Sequence, residues 1–124
     1  MVACDAATVA HTHSDDGEPL RLGRKTREWS TAQRRAIAVR DEGHCRFVGC
    51  SYTHYDIHHI EEWEHGGLTD IDNGCCQCPR HHHMLHSGYH LQGDPNRQLH
   101  FYRPDNTYIG STHPAGAPTL ASGL

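Results

Sequence analysis

The fold is decided by residues 78–86, which read Cys-Pro-Arg-His-His-His-Met-Leu-His. Pro79 suits the first turn of a helix, so this stretch predicts a helix over about Pro79–Ser87. On such a helix His82 and His86 are four residues apart and leave the same face, so both can bind one cation. His81 is rotated by about 100° from His82 and is free for a different metal ion. The stretch therefore predicts one helix that serves two metal sites.

The composition explains why metal would be needed. The chain has 124 residues, which suits one small domain and leaves no room for a second independent core. Only 35 % of the residues are hydrophobic and 7 % aromatic, against an apolar share of roughly 45–50 % in ordinary globular domains. The chain instead holds 14 His and 6 Cys, concentrated between His44 and His90. We expect metal binding to supply the missing stabilisation.

The pattern of apolar residues disfavours membrane and secreted proteins. No apolar run approaches the ~18–20 residues of a membrane span, and the N-terminus lacks the basic and apolar regions of a signal peptide. We therefore expect a cytoplasmic metalloprotein with no membrane partner. Its cysteines are then reduced metal ligands and not a disulfide framework.

Two short-spaced ligand pairs predict a structural zinc site. Cys45 and Cys50 are five residues apart, and Cys78 and His81, further along the chain, are three apart. Four such ligands close the tetrahedral shell of Zn²⁺ and leave no position for a substrate. The alternative is that these are unrelated small buried residues. The adjacent pair Cys75-Cys76 competes for the same ion but is better explained as small core fillers or as spectators.

A second set of histidines predicts an open metal site. His58 and His59 are neighbours on a predicted strand over Tyr55–Ile60, where successive side chains diverge. One of them can join His82 and His86 at a cation while the other faces a substrate. Three protein ligands leave open positions, as in a catalytic site, and a spare His is a suitable general base. A mixed metal-storage cluster and ordinary surface histidines are the alternatives.

Charge is distributed unevenly along the chain. The net charge is −4, yet residues 21–40 hold seven of the eleven basic residues. Such a stretch can bind phosphates locally, although it can equally be a solvated helix face. The candidate phosphate contacts are Arg24, Lys25, Arg27, Arg34 and Arg35, with Arg46 and Arg80 beyond the stretch.

Local signals predict a small α+β domain over residues 30–103. Ser30 and Gln33 form a capping-box pattern that begins a helix over about residues 31–42. Thr69–Cys76 is a candidate returning segment, and strands are expected over Tyr89–Leu91 and Gln98–Tyr102. Residues 1–29 are interpreted as a β-like lead-in, which can be the tail of a larger upstream region. Residues 104–124, rich in small and turn-forming residues, are expected to be a disordered tail.

The order of these residues resembles the HNH endonuclease family. His58-His59, then Asn73, then His82, framed by Cys45, Cys50 and Cys78, carry the resemblance over the core motif, residues 44–90. Residues 20–46 resemble the stretch that leads into the HNH domain of actinobacterial proteins with an upstream helical region of unknown function. The resemblance implies the ββα-metal (His-Me finger) fold and metal-dependent hydrolysis of DNA phosphodiester bonds.

The resemblance also implies roles for single residues. His59 would be the general base that activates water, and Asn73 would tie down the loop that holds His59 in its orientation. His58, His82 and His86 would hold the catalytic divalent ion, which can be Zn²⁺, Ni²⁺, Mn²⁺ or Mg²⁺. The structural Zn²⁺ would be held by the four ligands already named, Cys45, Cys50, Cys78 and His81. DNA would be bound mainly through its phosphates.

Two other classes of protein remain as alternatives. A non-catalytic zinc-finger-like module that binds nucleic acid explains the cysteines but gives His58, His59 and Asn73 no task. A metal-buffering protein explains the abundance of histidine but not its ordered spacing. The number of bound ions separates the three classes: one tight zinc, two distinct ions, or several loose ones.

Overall fold

The structure is a computed structural model that describes residues 19–114. Within this range the chain is a small α+β protein with two helices and two antiparallel sheets. Helix α1 spans Thr31–Arg40 and helix α2 spans Pro79–Leu85. The strands are β1 Asp56–His59, β2 Gly74–Gln77, β3 His90–Asp94, β4 Gln98–Tyr102 and β5 Tyr108–Thr112. The expectations for residues 1–18 and 115–124 lie outside the described residues.

Helix α1 begins as its sequence predicts. The Ser30 hydroxyl accepts from the Gln33 amide N–H at 3.1 Å, and the Gln33 side chain accepts from the Ser30 N–H at 2.9 Å. Both halves of the capping box are therefore formed. Gln33 is fully buried and also donates to the Leu20 carbonyl at 3.2 Å and to the Thr69 carbonyl at 2.7 Å. The cap thus fixes the lead-in segment and the returning segment together.

Strands β1 and β2 form a hairpin that runs directly into helix α2. The register pairs Asp56 with Gln77 and His59 with Gly74. The connection between the strands contains two short 3₁₀ helices, Trp63–His65 and Ile71–Asn73. Gly67 lies so close to the Glu61 carbonyl that a Cβ there would be 1.7 Å from its oxygen. The loop can close in this way only with glycine at that position.

All four residues of β2 are buried. Because successive side chains leave opposite faces of a strand, Cys75 packs with Phe47, Leu85 and Phe101, while Cys76 packs with Trp29 on the other side. Both thiols are fully buried, and burial raises the pKa of Cys75 to about 11. The prediction that Cys75 and Cys76 are small core fillers is confirmed.

The second sheet corrects the expectation of a tail from residue 104. Strands β3, β4 and β5 pair in that order, and β5 lies inside the stretch assigned to the disordered tail. Thr112 donates to the Arg46 carbonyl at 2.7 Å, and Ile109 packs against the core. Long-range pairing therefore orders a segment whose Gly, Ser and Thr content predicts no strand.

A buried ion cluster joins α1 to the rest of the domain and corrects one predicted DNA contact. Arg46 was expected on the DNA-binding surface, yet its side chain is 1 % exposed. It donates to Asp41 at 2.7 Å and to the Pro95 carbonyl at 2.9 Å. Arg40 also donates to Asp41, as does the Cys76 amide at 3.0 Å. Burial opposes ionisation, but the two guanidinium groups hold the pKa of Asp41 below its usual value.

We expect Asp41→Ala to be strongly destabilising because it leaves the buried Arg46 charge without its partner. Breaking a buried pair in this way costs about 3–5 kcal/mol. The free energy of unfolding, measured with urea, should fall by that amount. Arg34→Ala is the matched control, since it breaks only the exposed pair with Asp56 and should leave the urea midpoint almost unchanged. Equal midpoints for the two variants would contradict the structural role of the cluster.

Among residues 19–114, no helix is both long enough and apolar enough to cross a membrane.

Candidate metal centres

Three cysteines and a histidine converge at the start of helix α2. Cys45, Cys50, Cys78 and His81 place their ligand atoms within 4.8 Å of one another, close enough to bind a metal ion such as zinc. Cys78 is the N-cap of α2, and His81 lies on its first turn. The His81 Nδ1 is 3.3 Å from the Cys78 sulfur and 3.6 Å from the Cys45 sulfur. The four residues that the spacing predicts as a zinc shell are therefore brought together.

The surroundings of this Cys₃His cluster suit a closed cation site. Burial raises the pKa of the Cys45 thiol to about 12, so a cation is needed to hold this sulfur as a thiolate. Burial acts to raise the pKa of Cys78 as well, but hydrogen bonds from the His81 amide and from neighbouring thiols outweigh it and bring the pKa below the usual value. The Phe47 ring stacks on His81 with centroids 4.1 Å apart and planes 4° from parallel. The donor set and the fixed imidazole both fit zinc.

Three histidines form a second cluster on the other side of α2. The ligand nitrogens of His58, His82 and His86 lie within 4.8 Å of one another. The Nε2 atoms of His82 and His86 are 3.1 Å apart, as expected for residues four apart on one helix face. His58 comes from β1 and packs its ring edge-on against both, with centroids 5.2 and 5.4 Å away. One helix thus contributes ligands to both clusters, as the sequence predicts.

His58 fits a cation because one of its ring nitrogens has no partner among residues 19–114. The side chain is 2 % exposed, and its Nδ1 forms no hydrogen bond with any residue of this described range. Burial and the neighbouring His82 and His86 lower the pKa of His58 to about 3, so the ring stays neutral at physiological pH. A buried neutral imidazole next to two others offers the lone pair that a metal ion needs.

No family model, curated protein or solved structure matches this chain. Its function is therefore inferred from the arrangement of its own residues.

His59 lies beside the His58–His82–His86 cluster but does not join it. It is half-buried, with the Trp29 ring 4.6 Å and the Trp63 ring 6.0 Å from its centroid. Its Nε2 lies 3.0 Å from the Thr69 hydroxyl oxygen. Burial, with help from Arg27, lowers the pKa of His59, so the ring is neutral near pH 7. A neutral, held imidazole beside a cation site can accept a proton from water.

Asn73 ties the loop between β1 and β2, which is one part of the role that the family resemblance implies. Its Oδ1 accepts from the Glu61 amide at 2.8 Å, and its Nδ2 donates to the Glu61 and Leu68 carbonyls at 3.1 and 2.8 Å. The His59 ring, however, hydrogen-bonds with the Thr69 hydroxyl and not with Asn73. Asn73 therefore shapes the loop, while the orientation of His59 depends on Thr69 and the tryptophans.

A cleft of about 180 Å³ opens over the histidines. His58, His59, His82 and His86 line it together with Trp29, Trp63, Arg27, Arg34 and several acidic residues. Arg27 is paired with Glu64 at 3.1 Å and Arg34 with Asp56 at 3.3 Å, and all four side chains are exposed. Two of the predicted phosphate contacts thus reach the candidate site, where carboxylates offset their charge.

The remaining basic candidates lie elsewhere. Arg24 stacks 3.6 Å above the Trp63 ring and donates to the Gly67 carbonyl at 2.7 Å, so it stabilises the loop beside the cleft. Lys25 and Arg35 are exposed and do not line the cleft. Arg80 is also exposed and lines a separate groove next to the Cys₃His cluster.

Two residues of the site, Trp29 and Thr69, are not predicted by the sequence motif. Trp29 fits against Gly74, where a Cβ would be 2.7 Å from the Trp29 ring. Thr69 is fully buried beside His59. Neither has a signal in the spacing of the motif, because both reach the site through tertiary contacts. The position of Trp29 directly before the helix cap at Ser30 is the one feature of the sequence that indicates that its ring packs against the domain.

Proposed function

We propose that this chain is a metal-dependent HNH endonuclease that hydrolyses DNA phosphodiester bonds. The observation that carries the proposal is the separation of four histidines into two roles within one cleft. His58, His82 and His86 converge on a common point, and His59 stands beside them with its own hydrogen bond and packing. A binding module has no use for this arrangement, whereas hydrolysis needs a cation and a base on either side of the scissile phosphate.

The order of elements supports the assignment to the ββα-metal fold. The antiparallel pair β1–β2 is followed at once by α2, and the three histidine ligands come from β1 and α2. The Cys₃His cluster, which we assign to a structural Zn²⁺, secures the other side of the same helix. Its four protein ligands complete the shell, so it has no position for a substrate.

In the proposed reaction His59 takes a proton from the attacking water. The water oxygen forms a bond to phosphorus as the bond to the leaving 3′ oxygen breaks, and that oxygen takes a proton from solvent. Trp29 and Trp63 pack against the His59 ring and restrict its movement. A general base of this kind contributes roughly 10²–10⁴-fold in rate.

His58, His82 and His86 would hold the catalytic divalent ion. When bound, the ion supplies Lewis-acid stabilisation for the charge on the phosphate and on the leaving oxygen. Three imidazole ligands favour Zn²⁺, Ni²⁺ or Mn²⁺ over Mg²⁺, which prefers oxygen ligands.

DNA would bind through its phosphates at the two arginines that line the cleft. Arg27 and Arg34 line the cleft, and a phosphate would replace Glu64 and Asp56 as their partners. Lys25 and Arg35 would extend the contact along the same segment. Binding of this kind weakens steeply with salt and carries little sequence preference.

A comparison of two histidines on α2 tests the proposed function. His82 belongs to the ligand cluster, whereas His83 is exposed and lies outside it. His82→Ala should lose the second metal ion and lower plasmid nicking by on the order of a hundredfold to a thousandfold. His83→Ala should retain the second metal ion and the parental nicking rate. Equal nicking by the two variants would show that the His58–His82–His86 cluster is not a catalytic metal site.

A further inference from the structure

The hydroxyl of Thr69 is placed to control the His59 ring. Thr69 is fully buried, and its Oγ1 lies 3.0 Å from the His59 Nε2. Among residues 19–114 this is the one hydrogen bond that the Thr69 hydroxyl forms. A contact between a buried side chain and the half-buried candidate base fixes the rotation of the imidazole about its Cβ–Cγ bond.

The backbone of Thr69 is itself held from three directions. Its amide donates to the Gly23 carbonyl at 2.9 Å. Its carbonyl accepts from the Leu22 amide at 3.0 Å and from the buried Gln33 side chain at 2.7 Å. These bonds tie Thr69 to the lead-in segment and to the cap of α1. The hydroxyl is therefore presented to His59 from a rigid position and not from a mobile loop.

Resting on the proposed function, we propose that Thr69 is a positioning residue whose Oγ1 accepts a hydrogen bond from the Nε2–H of His59. A neutral imidazole carries one hydrogen, so this bond leaves the lone pair on Nδ1, the nitrogen that can accept a proton from water. Once His59 is protonated both nitrogens carry hydrogens, and the Nε2–H again donates to Thr69. One acceptor thus serves His59 before and after proton transfer.

The Trp29 ring complements this bond. It packs on His59 with the ring planes tilted by 37° and the centroids 4.6 Å apart. Packing alone restricts the plane of the imidazole but permits a 180° turn about the Cβ–Cγ bond, which would place Cε1 where Nε2 lies. The hydrogen bond to Thr69 selects one of these two orientations.

The test compares Thr69→Val with Thr69→Ser in the full chain loaded with zinc. Valine keeps the shape and removes the acceptor, whereas serine keeps the hydroxyl. Thr69→Val should lower the kcat of DNA nicking by about 10–100-fold, with the KM for DNA and the metal content unchanged. Thr69→Ser should restore most of the rate. If Thr69→Val does not fold, Thr69→Cys replaces it, since sulfur is a weak acceptor of similar size.

A second measurement is independent of activity. ¹⁵N NMR of the His59 ring should show the hydrogen on Nε2 in the parent and in Thr69→Ser, with slow exchange that is lost in Thr69→Val. A hydrogen on Nδ1 in the parent protein would overturn the inference. It would also be overturned if Thr69→Val nicked DNA with the parental kcat while His59→Ala was inactive. A parent protein that cuts no DNA contradicts the proposed function instead, and the NMR spectrum still tests the hydrogen bond.

Discussion

His59→Ala is expected to lower the rate of DNA nicking by about 10²–10⁴-fold while the protein keeps both metal ions. The substitution removes the group that accepts the proton of the attacking water, so the reaction must rely on solvent as the base. The His59 nitrogens are not part of either ligand cluster, so metal content should not change. The rate is measured on supercoiled plasmid, and the metals are counted by mass spectrometry.

His100→Ala is the matched control for this prediction. His100 lies on β4 of the second sheet, where its Nδ1 is 3.0 Å from the Tyr108 hydroxyl oxygen. It shares the residue type of His59 but does not line the cleft. The control should nick DNA at the parental rate. If His59→Ala were as active as His100→Ala, His59 would not be the general base.

Cys50→Ala is expected to abolish both zinc binding and folding. The Cys₃His cluster would lose one of its four ligands, and the core that remains is thin for the length of the chain. Structural zinc contributes on the order of 10 kcal/mol in small domains, which is comparable with the whole stability of about 5–15 kcal/mol for a typical domain. Circular dichroism should show an unfolded chain at 25 °C, and chelation of the parent protein should produce the same spectrum.

Cys75→Ala is the matched control for Cys50→Ala, because it removes a thiol that is not a predicted zinc ligand. Cys75 is fully buried but is not part of the Cys₃His cluster, and its substitution removes a small packed side chain and the sulfur that accepts a hydrogen bond from Gln77 at 3.3 Å. The variant should keep its zinc and its folded spectrum, with a modest fall in the thermal midpoint. A folded, zinc-free Cys50→Ala protein would contradict the structural role of the metal.

The sequence predicts those parts of the structure that depend on spacing within one element. The rotation between His81 and His82 follows from helix geometry alone, and so does the pairing of His82 with His86. The capping box at Ser30 predicts the start of α1 in the same way. Both ligand clusters were therefore accessible from residue types and intervals.

Features that depend on distant contacts were not predictable in this way. Arg46 has the residue type of a phosphate contact, but Asp41 and the Pro95 carbonyl hold it in the core. Strand β5 lacks an apolar pattern and is ordered by pairing with β4. Thr69 meets His59 only because Gln33 and the lead-in segment fix the returning chain. In each case a contact between different elements holds the residue, and the spacing within one element does not reveal it.

The most direct test of the proposed function is plasmid nicking by the zinc-loaded parent protein. Mn²⁺, Ni²⁺ and Mg²⁺ are each titrated into separate reactions, and the conversion of supercoiled to nicked plasmid is followed on a gel. We expect nicking that requires added metal and saturates as the His58–His82–His86 cluster fills. Intact plasmid with every ion, from folded protein that holds one zinc, would contradict the proposed function and favour a zinc-finger-like module that binds nucleic acid.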